Sequence, residues 1–259
     1  MGHLGMGHLG MGHLGMGSVK SAATRCWKFL AGLALSGGRS AAAVSDDGPT
    51  LTELSAKYPS DKSAAYHGYL GIYEMLFTPL RHRDIRFLEI GVFDGHSMRM
   101  WEEYFPAARI FGVDIASKTE HDSRRVKTIV ADQGKRQDLT KVLAVTKGNF
   151  DVVLDDGGHT MEQQQLSFGT LFPAVKSGGL YIIEDIHSSF PHLWPGFGVE
   201  RDGANSTYTM IDRFVRTGRV ESEYLTVAEN DYLSENISHC MYFFRSTKVH
   251  SDFFACWKK

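Results

Sequence analysis

Cysteine is scarce in this chain. Cys26, Cys240 and Cys256 are the three among 259 residues, and their spacing sets up neither a zinc site nor a disulfide framework. A reducing compartment is therefore the expectation. Long apolar runs are missing too, none reaching the ~18 uninterrupted residues of a membrane-spanning helix. Nor is there an excess of positive charge: 28 Lys and Arg against 30 Asp and Glu leave a formal net charge of -2, which gives no electrostatic footprint for nucleic acid. What the chain does have is a hydrophobic fraction of 42%, enough for a full buried core.

Residues 1–15 are three copies of Met-Gly-His-Leu-Gly. That period is too short for a solenoid unit and too rich in glycine to hold a helix, so residues 1–50 are expected to form a disordered or targeting extension. His3, His8 and His13 gain no metal role from a repeat without a shaped cavity. Gly2 fails the myristoylation pattern, because residue 6 is Met where Ser or Thr is required. Basic Lys20, Arg25 and Lys28, an apolar run over 29–35 and small residues over 41–45 resemble a cleavable leader. Export or organelle targeting through residues 17–45 is thus the alternative to a cytoplasmic location. Asp46-Asp47-Gly48-Pro49 reads as a linker, and residues 51–259 as the folded domain.

Beyond Leu51, the residues Tyr66, Tyr69, Leu70, Tyr73, Leu76 and Phe77 recur at three- and four-residue spacings and predict a helical stretch. Short apolar runs follow at 87–92, 110–113, 127–131, 150–154 and 180–183, each closed by an acidic or glycine-containing turn. Such runs suit strands buried on both faces. Helices are predicted between them at 97–105, 137–145 and 161–175. The alternation predicts an α/β fold, a Rossmann-like doubly wound and mostly parallel sheet with right-handed crossovers. In that architecture ligands sit beyond the carboxyl ends of the strands, where the acidic clusters of this sequence fall.

Glu89-Ile-Gly91-Val-Phe-Asp-Gly95 places two glycines in the turn leaving the first strand, where the backbone must approach a ligand closely. Asp114, nineteen residues after Gly95, ends the second strand and can accept both hydroxyls of an adenosine ribose. The third strand ends at Ala131-Asp132-Gln133. This loop lacks the Gly-x-Gly-x-x-Gly of nicotinamide enzymes and the Gly-Lys-Ser/Thr of a triphosphate site. With no pyrophosphate to cradle, an acid such as Glu89 can face a cationic methionine moiety. These residues resemble the Glu-x-Gly-x-x-x-Gly motif and acidic followers of class I S-adenosylmethionine-dependent methyltransferases. The resemblance implies S-adenosyl-L-methionine as cofactor, with Glu89, Gly91 and Gly95 near its methionine half and Asp114 at the ribose. Asp132 and Gln133 would lie nearer the adenine, and Asp155 belongs to the same cofactor set.

Asp156 and His159 lie three apart across a Gly-Gly turn closing the fourth strand, and Glu184-Asp185 close the next one. Carboxylates without a thiol are hard oxygen ligands, which favour Mg²⁺ or Mn²⁺ over structural zinc. A plainer reading has Asp155 or Asp156 capping the following helix and Glu184-Asp185 in a solvated turn. Repulsion between acids at neighbouring strand ends weighs against it. Asp156-Gly-Gly-His159, with Glu184-Asp185 beginning twenty-eight residues after Asp156, resembles the macrocin and mycinamicin sugar O-methyltransferases of antibiotic biosynthesis. The resemblance runs from about residue 58 through Asp185. It implies Asp156, Glu184 and Asp185 as metal ligands and His159 as the general base. Gly158 stands where that family commonly carries Ser, which leaves the ligands in place.

The implied reaction is S-adenosylmethionine-dependent, divalent-metal-assisted methyl transfer to a hydroxyl of a sugar or glycosylated secondary metabolite. Its partners would be a small hydroxylated acceptor, in the first place a glycoside, and further copies of the chain in a homo-oligomer, with no nucleic acid and no membrane span. A metal-dependent hydroxylase or hydrolase on the same scaffold is one alternative, although a single His in the cluster falls short of the two-His facial triad for Fe(II). A non-catalytic cofactor-binding protein is the other. His187 and His192 are read as solvated loop residues, and Phe190, Trp194 and Phe197 as a pocket wall or as loop packing. Lys62 and His67 resemble a pattern ahead of the core in this group and receive no role.

Overall fold

Thr50 opens the first helix. Its hydroxyl accepts from the Glu53 amide while the Glu53 carboxylate accepts from the Thr50 amide, so two orphan donors are satisfied and α1 (Leu51–Lys57) begins there. The computed structural model describes residues 48–245 and 251–259. The repeat and leader readings of residues 1–45 lie outside them. Turns then lead to α2 (Leu70–Phe77), β1 (Arg86–Ile90), α3 (His96–Tyr104), β2 (Arg109–Asp114), β3 (Val126–Val130), α4 (Arg136–Thr146) and β4 (Phe150–Asp155). After these come α5 (Met161–Leu171), β5 (Val175–Glu184), α6 (Thr207–Thr217), α7 (Val227–Asn236), β6 (Ile237–Arg245) and β7 (Ser251–Lys258).

The strands form one sheet in the order β3-β2-β1-β4-β5-β7-β6. The first five are parallel, and β7 runs antiparallel to both β5 and β6. Alternate residues feed two cores. Phe87, Val152, Leu154, Leu180 and Ile182 pack with Met98 and Trp101 of α3, while Leu88, Val153, Tyr181 and Ile183 pack with Leu139 of α4 and Phe168 of α5. Burial on both faces is why the strand runs are continuously apolar, each such side chain contributing about 1.5–3 kcal/mol. Strand order reverses between β1 and β4, so the connections leaving those two neighbours go to opposite faces of the sheet and leave a crevice at the carboxyl edge.

Three sequence expectations change here. The helix predicted over 161–175 stops at Leu171, because Pro173 cannot donate to a helical carbonyl; a 3₁₀ turn at Phe172–Ala174 follows and Val175 already belongs to β5. The stretch beginning at Tyr66 becomes helical only at Leu70, and Tyr66 itself lies exposed in a turn. The strands β6 and β7 were not expected, and their antiparallel register sets Cys240 opposite Cys256, where the two form a disulfide with Cα atoms 4.3 Å apart. Linear spacing cannot reveal a pair that cross-strand register creates. No helix among the described residues is long and apolar enough to cross a membrane.

Candidate active site

Leaving β1, the chain turns at Gly91 with φ 91°. A Cβ there would stand 1.9 Å from the Asp156 carbonyl oxygen, so the β1 and β4 loops pass this closely only because residue 91 is glycine. Gly95 (φ 75°) starts α3, and a Cβ on it would meet the His121 ring at 2.4 Å. Asp114 clamps the same loop, its Oδ2 accepting from the Val92 and Phe93 amides at 3.1 and 3.0 Å. Over these strand ends lies a cavity of about 600 Å³, lined among others by Gly91, Asp114, Asp132, Gln133, Asp156 and His159. Phe93, Ile115 and Tyr66 add exposed apolar surface to its lining.

Glu89 and Asp155 are fully buried and do not line that cavity. Glu89 Oε2 accepts from Ser97 Oγ at 2.9 Å and Trp101 Nε1 at 3.1 Å, while its Oε1 has no hydrogen-bond donor and stands 3.8 Å from the Lys62 ammonium. Burial pushes this carboxyl up to about 7, with Lys62 pulling the other way. Asp155 accepts from Gln133 Nε2 at 2.5 Å and from the Tyr181 hydroxyl at 3.3 Å, and burial pushes it up to about 8. Gln133 also accepts the Gly158 amide at 2.9 Å, so it braces the β3 loop against the β4 loop. Asp132 pairs with Lys135 at 2.9 Å and accepts the Gly134 amide, which together hold its carboxyl below the usual range.

At the ends of β4 and β5, one ligand atom each from Asp156, His159 and Asp185 gathers within 4.8 Å. His159 Nε2 stands 3.8 Å from Asp156 Oδ1 and 3.6 Å from Asp185 Oδ2. Both His159 (φ 57°) and Asp185 (φ 54°) adopt the left-handed conformation, which is costly outside glycine and turns these residues sharply at the strand ends. Two carboxylates and one imidazole at this spacing suit a hard divalent ion. Glu184 faces a different way: its Oε1 accepts from the Tyr73 hydroxyl at 2.6 Å and its Oε2 from Lys62 at 3.2 Å. Burial, with Asp156 alongside, raises its carboxyl well above the ordinary range.

Three residues without an expected role complete the cluster. Lys62, 1% exposed, donates to both Asp156 and Glu184. Burial alone would lower its pKa, but the surrounding carboxylates outweigh that and raise it. Tyr69 donates to Asp185 Oδ1 at 2.8 Å and Tyr73 to Glu184. Burial raises the Asp185 carboxyl, yet the imidazoles of His159, His67 and His187 outweigh it and hold it below its ordinary value. The four-residue spacing of Tyr69 and Tyr73 reads as a core face, and both are indeed buried; a buried phenol must still find a partner, which was the available signal. His187, expected to be solvated, is buried, its backbone amide and Nδ1 both meeting Asp252 Oδ1 at 2.7 and 3.0 Å. Trp194 and Phe197 continue an aromatic path from His187 to His159.

A family model described as a methyltransferase domain matches residues 88–186. Demethylmacrocin O-methyltransferase of Streptomyces fradiae is 38% identical over 170 residues, and mycinamicin VI 2''-O-methyltransferase of Micromonospora griseorubida is 40% identical over 170; each match spans 63% of this chain and 42% of the relative. Among solved structures, the MycE methyltransferase of the mycinamycin biosynthetic pathway, in complex with Mg, SAH and mycinamycin VI, superposes with a TM-score of 0.67 at 30% identity over 82% of this chain and 55% of that one. Sheet order, glycine loop and these matches define a class I methyltransferase fold. Within that class the chain is similar to the macrocin and mycinamicin sugar O-methyltransferases. It spans about half the length of the curated relatives it matches.

Proposed function

We propose that residues 51–259 form a methyltransferase domain that carries the sulfonium methyl of S-adenosyl-L-methionine to a sugar hydroxyl on a small glycosylated acceptor, assisted by Mg²⁺ or Mn²⁺. The observation that carries this reading is the convergence of Asp156, His159 and Asp185 beside the cavity lined by Gly91 and Asp114. The names of the relatives, which are O-methyltransferases of demethylmacrocin and mycinamicin VI, and the Mg and SAH held by MycE support it. When bound, the cofactor supplies an electrophilic methyl and the ion a Lewis acid that lowers the pKa of a hydroxyl.

The chain's own residues do the rest. Gly91 and Gly95 let the loop backbone approach the cofactor, Asp114 takes the ribose hydroxyls, and Glu89 faces the methionine half from below. Asp132, Gln133 and Asp155 shape the adenine end. Asp156 and Asp185, with Glu184 as the third acid implied by the resemblance, would hold the ion. His159 accepts the proton of the acceptor hydroxyl at Nε2, the atom that faces both aspartates. Holding acceptor and methyl donor in line lowers the barrier chiefly through positioning. Homo-oligomeric assembly belongs to the same reading.

Calorimetric titration with S-adenosylmethionine and S-adenosylhomocysteine, with and without Mg²⁺, tests it on wild type and Asp156→Ala. Both proteins are expected to bind cofactor, with ion binding lost in the variant; a wild type that binds neither cofactor refutes the proposal.

A further inference from the structure

Lys62 is 1% exposed and held in the turns before α2, with its side-chain nitrogen among carboxylates. Its Nζ donates to Asp156 Oδ2 and to Glu184 Oε2 at 3.2 Å, and lies 3.8 Å from Glu89 Oε1. Each of the first two acids has its other oxygen committed elsewhere: Asp156 Oδ1 faces His159, and Glu184 Oε1 accepts from Tyr73. One ammonium therefore ties the acid beneath the glycine loop to two acids at the ends of β4 and β5.

We propose that Lys62 is a resident counter-ion of this acid cluster, positioning Asp156 and Glu184 before a divalent ion arrives and competing with that ion for Asp156. The inference rests on the divalent-ion reading above. Ionised carboxylates buried together repel one another and lose their solvation, so a cation beside them is what keeps the cluster ionised. Lys62 supplies it when no metal is bound. An ion held by Asp156 and Asp185 then shares the Asp156 carboxylate with the ammonium, and the two positive charges repel across it. Lys62 thus makes the empty site foldable and lowers the site's affinity for the ion. A protonated ammonium has no lone pair to offer, and this one donates to Asp156 and Glu184, so Lys62 is a positioning residue.

The test is calorimetric titration of the full chain with Mg²⁺ alone and Mn²⁺ alone, on wild type and Lys62→Met, alongside unfolding midpoints in chelator and in saturating ion. Lys62→Met is expected to bind either ion about tenfold or more tightly than wild type, because a like charge a few ångströms away has gone. Its midpoint in chelator should fall, and the rise on adding ion should exceed that of wild type. Equal or weaker ion binding by folded Lys62→Met overturns the role given to Lys62. Should that variant not fold in chelator, Lys62→Met with Glu89→Gln, compared with Glu89→Gln alone, answers the same question with one charge of each sign removed. A wild type that binds no divalent ion removes both the ion reading and this inference; a wild type that binds it, with no gain in the variant, removes this inference alone.

Discussion

Replacing Gly91 by Ala should damage the protein far more than its small size suggests. Two costs add. Residue 91 sits at φ 91°, and a left-handed backbone costs a residue with a Cβ about 1–2 kcal/mol. The new Cβ would also lie 1.9 Å from the Asp156 carbonyl oxygen, with the Asp156 carbonyl carbon 2.8 Å away, so the β1 and β4 loops must separate by roughly 1.5 Å to restore ordinary contact. Shifts of packed backbone cost about 1–3 kcal/mol, which brings the expected loss to about 2–5 kcal/mol. Gly218→Ala is the internal control: it has φ 72°, caps the end of α6, and has nothing within 4 Å of the added Cβ, so it carries the conformational cost alone. Urea unfolding of wild type and both variants reads the difference. Because the displaced carbonyl belongs to Asp156, the folded Gly91→Ala protein should also bind divalent ions more weakly, which calorimetry reads. Loss of stability within about 0.5 kcal/mol of the Gly218→Ala value would refute the argument that these two loops are locked by contact.

Other perturbations follow from the same geometry. Glu89 is raised from an ordinary 4.5 to about 7 in the folded chain, so its contribution is fully present below 4.5 and is lost as pH rises towards 7; Glu89→Gln should flatten that limb of a stability-against-pH profile by at most ~3 kcal/mol, and an unchanged slope between pH 4.5 and 7 would count against it. Gln133→Ala removes the 2.5 Å bond to buried Asp155 and should cost about 1–3 kcal/mol in denaturant unfolding. Tyr73→Phe leaves Glu184 Oε1 without its hydroxyl donor and should cost a similar ~1–3 kcal/mol, whereas Tyr66→Phe, at an exposed turn, should stay within about 0.5 kcal/mol of wild type.

The strand runs were legible because both faces of a parallel sheet are buried, which leaves an unbroken apolar signal; 150–154 and Phe150–Asp155 differ by one residue. The helix over 161–175 was overrun because periodicity continues into Phe172 and Val175, while the decisive event is a missing donor at Pro173. Strands β6 and β7 are not legible in the sequence because β6 is largely exposed and carries polar residues among its apolar ones, and because β7 opens on Ser251-Asp252, polar residues whose burial the local sequence does not announce. Of the residues expected at the cofactor, Gly91, Asp114, Asp132 and Gln133 line the cavity, while Glu89, Gly95 and Asp155 do not. A motif names positions along a strand end and carries no information on which side chain faces the cavity and which faces the core.

By itself the sequence determined the alternating order of elements, the parallel core strands, the glycines at the β1 turn and the placing of acids at strand ends. All of these are encoded by near neighbours, through apolar runs and backbone freedom. Tertiary structure alone decided that Lys62, 94 residues before Asp156, neutralises it, that Tyr69 and Tyr73 reach Asp185 and Glu184 from α2 and the turn before it, and that Cys240 meets Cys256. These contacts join segments far apart in the chain. Their energies depend on distance and burial in the folded state, quantities that exist only once the sheet has closed around them.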